Sequence, residues 1–81
     1  MEKNYEAVLR GKKLKQLREE RKLTQKELAD FCGISCKLIQ HYEQGAKNPK
    51  NMTVETLYRL SRGLDIPVER LIVKLFYGKP E

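Results

Sequence analysis

The chain has 81 residues and a formal net charge of +6, with a sequence pI near 9.5. That length is enough for one domain with one small core. Two cysteines and no secretory leader argue against a disulfide framework, and no apolar run reaches the ~18 residues needed to span a bilayer, so a cytosolic location is expected. The basic balance favours polyanions, nucleic acid before anionic membrane, although with 35% charged residues it also fits a solvated helical surface.

In chain order, Met1 to Glu6 carries charge without pattern and reads as a frayed lead-in or an extra first turn. The composition then predicts a helix from about Val8 to Lys22. Leu14 and Leu17 face inward on it, and Lys12, Lys13, Lys15, Glu19 and Glu20 face outward. Gly11 either weakens this helix or marks where it properly begins.

Leu23 to Gly45, LTQKELADFCGISCKLIQHYEQG, carries the strongest local signals of the chain. Thr24 with Glu27 three residues on forms a capping box, and Leu23 with Leu28 a hydrophobic staple, so a helix is predicted from Thr24 to Cys32. A second helix follows from Ser35 to Glu43, with Ser35 as cap and Ile34 and Ile39 as staple. Gly33 between them suits a left-handed position, where a Cβ would cost energy. The spacing of Ala29, Gly33 and Ile39 lets the two helices cross closely.

Helical periodicity puts Leu28, Ala29 and Cys32 on one face of the first of these helices, with Gln25, Lys26 and Asp30 outside. Phe31 is expected to be partly buried against a later helix. On the second helix, Ile39 and Tyr42 turn inward and leave Ser35, Cys36, Lys37, Gln40 and His41 on or near the opposite face. The loop from Gln44 to Thr53 is polar and cationic, with Lys47, Asn48 and Lys50.

Thr53 then caps a helix whose Leu57, Leu60, Ser61 and Leu64 form one stripe, with Met52 and Leu57 as staple partners. Asp65 to Val68 breaks it, and Ile66 with Leu71 repeats the staple spacing around Pro67. The last helix, about Val68 to Phe76, has two apolar faces. Val68, Leu71, Ile72 and Leu75 should dock on the first and fourth helices; Val73, Phe76 and Tyr77 form a second stripe, expected to make a homodimer interface or to fold back over the chain's own core.

No catalytic set is assembled, since there is one histidine, no Gly-rich phosphate loop and no acidic pair placed for acid–base work. No enzyme activity is expected, and no cofactor. Cys32, Cys36 and His41 do not make a metal site, because helical geometry turns Cys32 inward and Cys36 outward and structural zinc usually takes four ligands. The first-turn position of Cys36 leaves redox control of binding as one option.

TQKELADFCGIS, then a helix ending YEQG, then NP and the LYRLSRGL helix together resemble the Cro/C1-type, or XRE-type, helix-turn-helix proteins over about Gly11 to Leu71. The resemblance implies an all-α, five-helix lambda-repressor-like fold and sequence-specific binding of double-stranded DNA by a transcriptional regulator, a repressor before an activator. It implies Gln25 on a backbone phosphate, with Lys47, Asn48 and Lys50 as further phosphate candidates. Ser35, Cys36, Lys37 and His41 are placed at or near bases, with Gln40 beside them. Arg18 is implied to pair with Glu43, against the alternative of two independent exposed charges. Relatives often carry glutamine, arginine or asparagine on this helix, so Cys36, Lys37 and His41 give no operator sequence. The same fold can also serve protein contact, as in an antitoxin or an adaptor.

Overall fold

The computed structural model describes residues 5–77, and among them every regular element is helical. In chain order these are α1 (Tyr5–Glu20), α2 (Gln25–Cys32), α3 (Cys36–Glu43), a 3₁₀ turn (Pro49–Asn51), α4 (Val54–Leu64), α5 (Val68–Ile72) and a π-helical segment (Val73–Tyr77). α1 packs on α3, on the 3₁₀ turn and on the π-helical segment, α2 packs on α3 and α4, and α4 meets α5. Leu14, Leu28, Ile39, Leu60, Leu64, Leu71 and Leu75 are fully buried where these elements converge. No described helix is long and apolar enough to cross a membrane.

The predicted helix starts are the observed ones for α2, α3 and α4. Thr24 Oγ1 accepts from the Glu27 amide at 3.0 Å while the Glu27 carboxylate accepts from the Thr24 amide at 2.9 Å. Ser35 Oγ caps the Leu38 amide and Thr53 Oγ1 the Thr56 amide. Each satisfies a first-turn N–H that has no acceptor within its helix.

Three of the helices end on one device. After α2, Gly33 stands at φ 70°, its amide and that of Ile34 reaching back to Asp30 and Ala29 carbonyls. This is the Schellman turn, whose left-handed residue is usually glycine. After α4, Asp65 at φ 55° takes the same place, and the Ile66 amide reaches the Ser61 carbonyl. After α1 the residue is Lys22 at φ 58°, with the Leu23 amide on the Arg18 carbonyl. Lys22 therefore lies outside the helix predicted to include it, and α1 ends at Glu20.

The start of α1 takes the second of the two expected forms, an extra first turn before Val8. The helix already runs from Tyr5, and Ala7 is buried, so the end of the expected lead-in is part of the first turn; Met1 to Asn4 lie outside the described residues. Gly11 is not a helix start but the crossing point of α1 and α3. A Cβ there would stand 2.1 Å from the Tyr42 carbonyl oxygen, far inside van der Waals contact, so the helices meet backbone to backbone.

Two further expectations are corrected. Phe31 is 65% exposed rather than partly buried. At 100° per residue it lies roughly 100° from the centre of the Leu28, Ala29, Cys32 face, which is the side that α3 and α4 cover. The last helix is not α-helical throughout: beyond Ile72 the winding loosens to a π-helix. The wider turn keeps Leu71 and Leu75 in the core and swings Phe76 away from Val73, toward α1.

Candidate nucleic-acid interface

The helix-turn-helix rests on a buried polar cluster. Arg18 Nε lies 2.7 Å from Glu43 Oε2 and Nη2 2.9 Å from Oε1, a bidentate fork between α1 and the last residue of α3. Arg18 Nη1 donates to the Leu23 carbonyl at 2.7 Å, just before the α2 cap. Gln25 Nε2 donates to Glu43 Oε1 at 3.0 Å. A carboxylate at a helix C-terminus opposes the helix dipole, and the Glu43 side chain is only 3% exposed, so the Arg18 charge is what makes its burial tolerable. Reciprocally, the hydrogen bond from Arg18 to Glu43 raises the guanidinium pKa against the lowering effect of burial.

Gln25 thus leaves the α2 N-terminus with one amide hydrogen committed to Glu43 and a fixed orientation for the rest of its head. The first-turn amides of α2 point the same way, which makes this corner suited to an anion. It is half-buried.

Ser35 and Lys37 are exposed at the start of α3, and Cys36, Gln40 and His41 are half-buried along it. Gln40 Nε2 lies 4.0 Å from Cys36 Sγ, so these two side chains lie against each other one turn apart. His41 offers its carbonyl to the amides of Ala46 and Lys47, tying the following loop to the helix end. Cys32, by contrast, is buried beneath α2, and the loss of solvent pushes its thiol up to about 11. The two cysteines are free; Cys32 is inward as helical geometry predicted, but Cys36, expected outward, is half-buried and packs against the edge of the core, because the first turn of α3 lies close over it.

The loop after α3 is more ordered than its composition suggested. Asn48 Oδ1 accepts the Lys50 amide at 3.0 Å and opens the 3₁₀ turn, whose Pro49 is buried. Lys47 and Lys50 remain exposed on either side. Asn48 itself is half-buried, near the wall of a concavity formed with Tyr42, Ala46, Lys47 and Asn51. Gln25 and this loop both adjoin the C-terminal end of α3, Gln25 through Glu43 and the loop through the His41 carbonyl. Val73 and Tyr77 are exposed at the far end of the chain, while Phe76 is half-buried under Arg10.

Sequence reasoning missed two basic side chains. Arg10 joins α1 to Asn48 and Phe76, and Arg59 of α4 donates to the Gly33 carbonyl at 3.2 Å, holding the turn of the motif. Their local pattern shows only an i,i+4 glutamate each, Glu6 and Glu55, whereas the contacts that matter here reach partners more than twenty residues away.

A helix-turn-helix domain family model matches residues 11–74. The chain is a Cro/C1-type helix-turn-helix protein. It is 41% identical over 68 residues to the HTH-type transcriptional repressor RghR of Bacillus subtilis, an alignment covering 83% of this chain and 48% of that repressor. The chain spans about half the length of the curated relatives it matches. Among solved structures, the restriction-modification controller protein C.AhdI of Aeromonas hydrophila superposes with a TM-score of 0.74 at 26% identity, covering 90% of this chain and all of that one. The biofilm master regulator SinR, solved in complex with DNA, gives 0.68 at 27% identity, over 78% of this chain and 97% of that one. Cro/C1-type proteins are DNA-binding transcriptional regulators, which is not an enzyme class, and the five-helix lambda-repressor-like fold is theirs.

Proposed function

We propose that this chain binds double-stranded DNA sequence-specifically as a dimeric transcriptional repressor, with α3 in the major groove. The observation that carries the reading is the outer face of α3, where Ser35 and Lys37 are exposed and Gln40 and His41 half-buried, followed in the chain by a cationic loop. Such a helix reads base edges with its N-terminal residues.

In this reading Ser35, Cys36, Lys37, Gln40 and His41 face bases, and Gln25, Lys47, Asn48 and Lys50 face phosphates. Lys37 can donate to guanine O6 or N7, and His41 can donate or accept. Phosphate contacts set register and base contacts set preference. Val73, Phe76 and Tyr77 form the homodimer interface, which would place two recognition helices roughly 34 Å apart on a near-palindromic operator. With about 6–10 phosphate contacts, log K should fall with log salt at a slope of roughly −5 to −9. Two relatives, RghR of Bacillus subtilis and the phage repressor RstR of Vibrio cholerae, are transcriptional repressors, which supports the repressor role. A cytoplasmic location accords with it.

Selection of bound sequences from a random duplex pool tests the reading. An enriched, two-fold symmetric site is expected, and a pool that stays random would overturn it. The exposed Val73 and Tyr77 also suit a second reading, a protein-interaction module of antitoxin or adaptor type. Light scattering separates the two: a stable homodimer supports the regulator, and a monomer that aggregates supports the missing partner.

A further inference from the structure

We infer that Arg10 is a positioning residue that links the C-terminal apolar segment to the phosphate-facing loop, so that dimer contact and DNA contact are mechanically coupled. The inference rests on the proposed function for its biological meaning, and on three contacts for its physics. The Arg10 guanidinium carbon sits 5.4 Å from the centroid of the Phe76 ring, in cation–π range. Its Nη1 lies 3.5 Å from Asn48 Oδ1, the same oxygen that accepts the Lys50 amide and shapes the 3₁₀ turn. Glu6, one turn back on α1, pairs with the same Nη1 and holds that end of the guanidinium.

The Arg10 side chain is only 17% exposed, so the guanidinium has limited room to move independently of its neighbours. Arg10, Lys50, Ile72, Phe76 and Tyr77 line one shared concavity. The C-terminal segment and the loop therefore both contact the same guanidinium. When Val73 and Tyr77 engage a second copy, any shift of the Phe76 ring moves Arg10 and hence the carboxamide that orients Lys50. Through the same path, a phosphate that draws Lys50 toward it steadies Phe76, since coupling between two sites is reciprocal.

A nuclear magnetic resonance cycle on the full chain tests the link directly. Phe76→Leu should shift the Lys50 amide resonance in the wild-type background and leave it unmoved in an Arg10→Met background. The same Lys50 shift in both backgrounds would overturn the inference. Arg10→Lys, which keeps a cation near Phe76 but lacks the planar fork, serves where Arg10→Met folds poorly, and should cut the Phe76→Leu shift at Lys50 by more than half; an undiminished shift would again overturn the link.

Affinity for the selected duplex supplies the second arm. Arg10→Met should weaken binding roughly 5- to 10-fold, and Lys50→Ala should then cost less in that background than in wild type; additive losses would overturn the coupling. If the variants show the resonance cycle but the wild-type chain binds no duplex, the DNA-binding reading falls and the Arg10 link is supported.

Discussion

The helix-turn-helix and the C-terminal segment solve the same problem, fixing a short helix against the core, by different means. α2 and α3 have eight residues each, too few to persist alone, yet caps, staples and a left-handed glycine define both boundaries from residues within a few positions. α5 has no side-chain cap and only five residues before the winding changes. Its geometry is set by Leu71 and Leu75 in the core and by Phe76 under Arg10. Local devices thus make an element legible and rigid, whereas distant contacts make one whose form depends on what covers it.

The sharpest way to break the contrast is Arg18→Met, because the helix-turn-helix also leans on one distant contact. It leaves Glu43 buried and unpaired, and urea denaturation should show a loss of about 3–5 kcal/mol. Adding Glu43→Gln should recover much of it. Gly11→Ala should cost about 1–3 kcal/mol by overpacking against the Tyr42 carbonyl, although alanine is the better helix former. A stabilised Gly11→Ala variant would mean that α1 and α3 do not cross there.

Removing a local device should cost less. Thr24→Ala deletes the capping box and should lower stability by roughly 0.5–2 kcal/mol. In the opposite direction, Lys22→Gly removes a side chain from a left-handed position and should gain up to about 1 kcal/mol, read as a raised midpoint of thermal unfolding. A separate effect concerns pH. Burial holds the Cys32 thiol up to about 11, so the unfolded chain releases that proton first. Its contribution to stability is whole below the ordinary thiol range and is lost as pH rises from there through about 11. Between pH 8 and 10.5 the denaturation midpoint of wild type should therefore fall more than that of Cys32→Ala.

How much was legible follows from the range of each interaction. The capping box at Thr24 and Glu27, the left-handed Gly33, the inward Leu28, Ala29 and Cys32, and the outward Ser35 and Lys37 were all readable, since each depends on neighbours within one or two turns; Cys36, expected outward, packs partly against the core. Phe31 was misplaced because an aromatic residue announces hydrophobicity but not whether a partner faces it. Lys22 hid a helix end because the Schellman turn that demands a left-handed residue is satisfied by its hydrogen bonds and by Leu23, and a lysine gives no sign of accepting the strain. The base- and phosphate-facing roles of Ser35, Cys36, Lys37, Gln40, His41, Gln25, Lys47, Asn48 and Lys50 remain proposals for the binding selection to test.

By itself, then, the sequence determined the all-α class, the boundaries of α2 and α3 and the faces they bury, because short-range hydrogen bonds and a 3.6-residue period are written along the chain. Tertiary structure alone decided that Gly11 is a helix crossing, that Gln25 is steered by a carboxylate eighteen residues on, that the last helix unwinds into a π-segment, and that Arg10 stands between Phe76 and Asn48. These depend on distances between segments far apart in the chain, and such distances exist only once the core has closed.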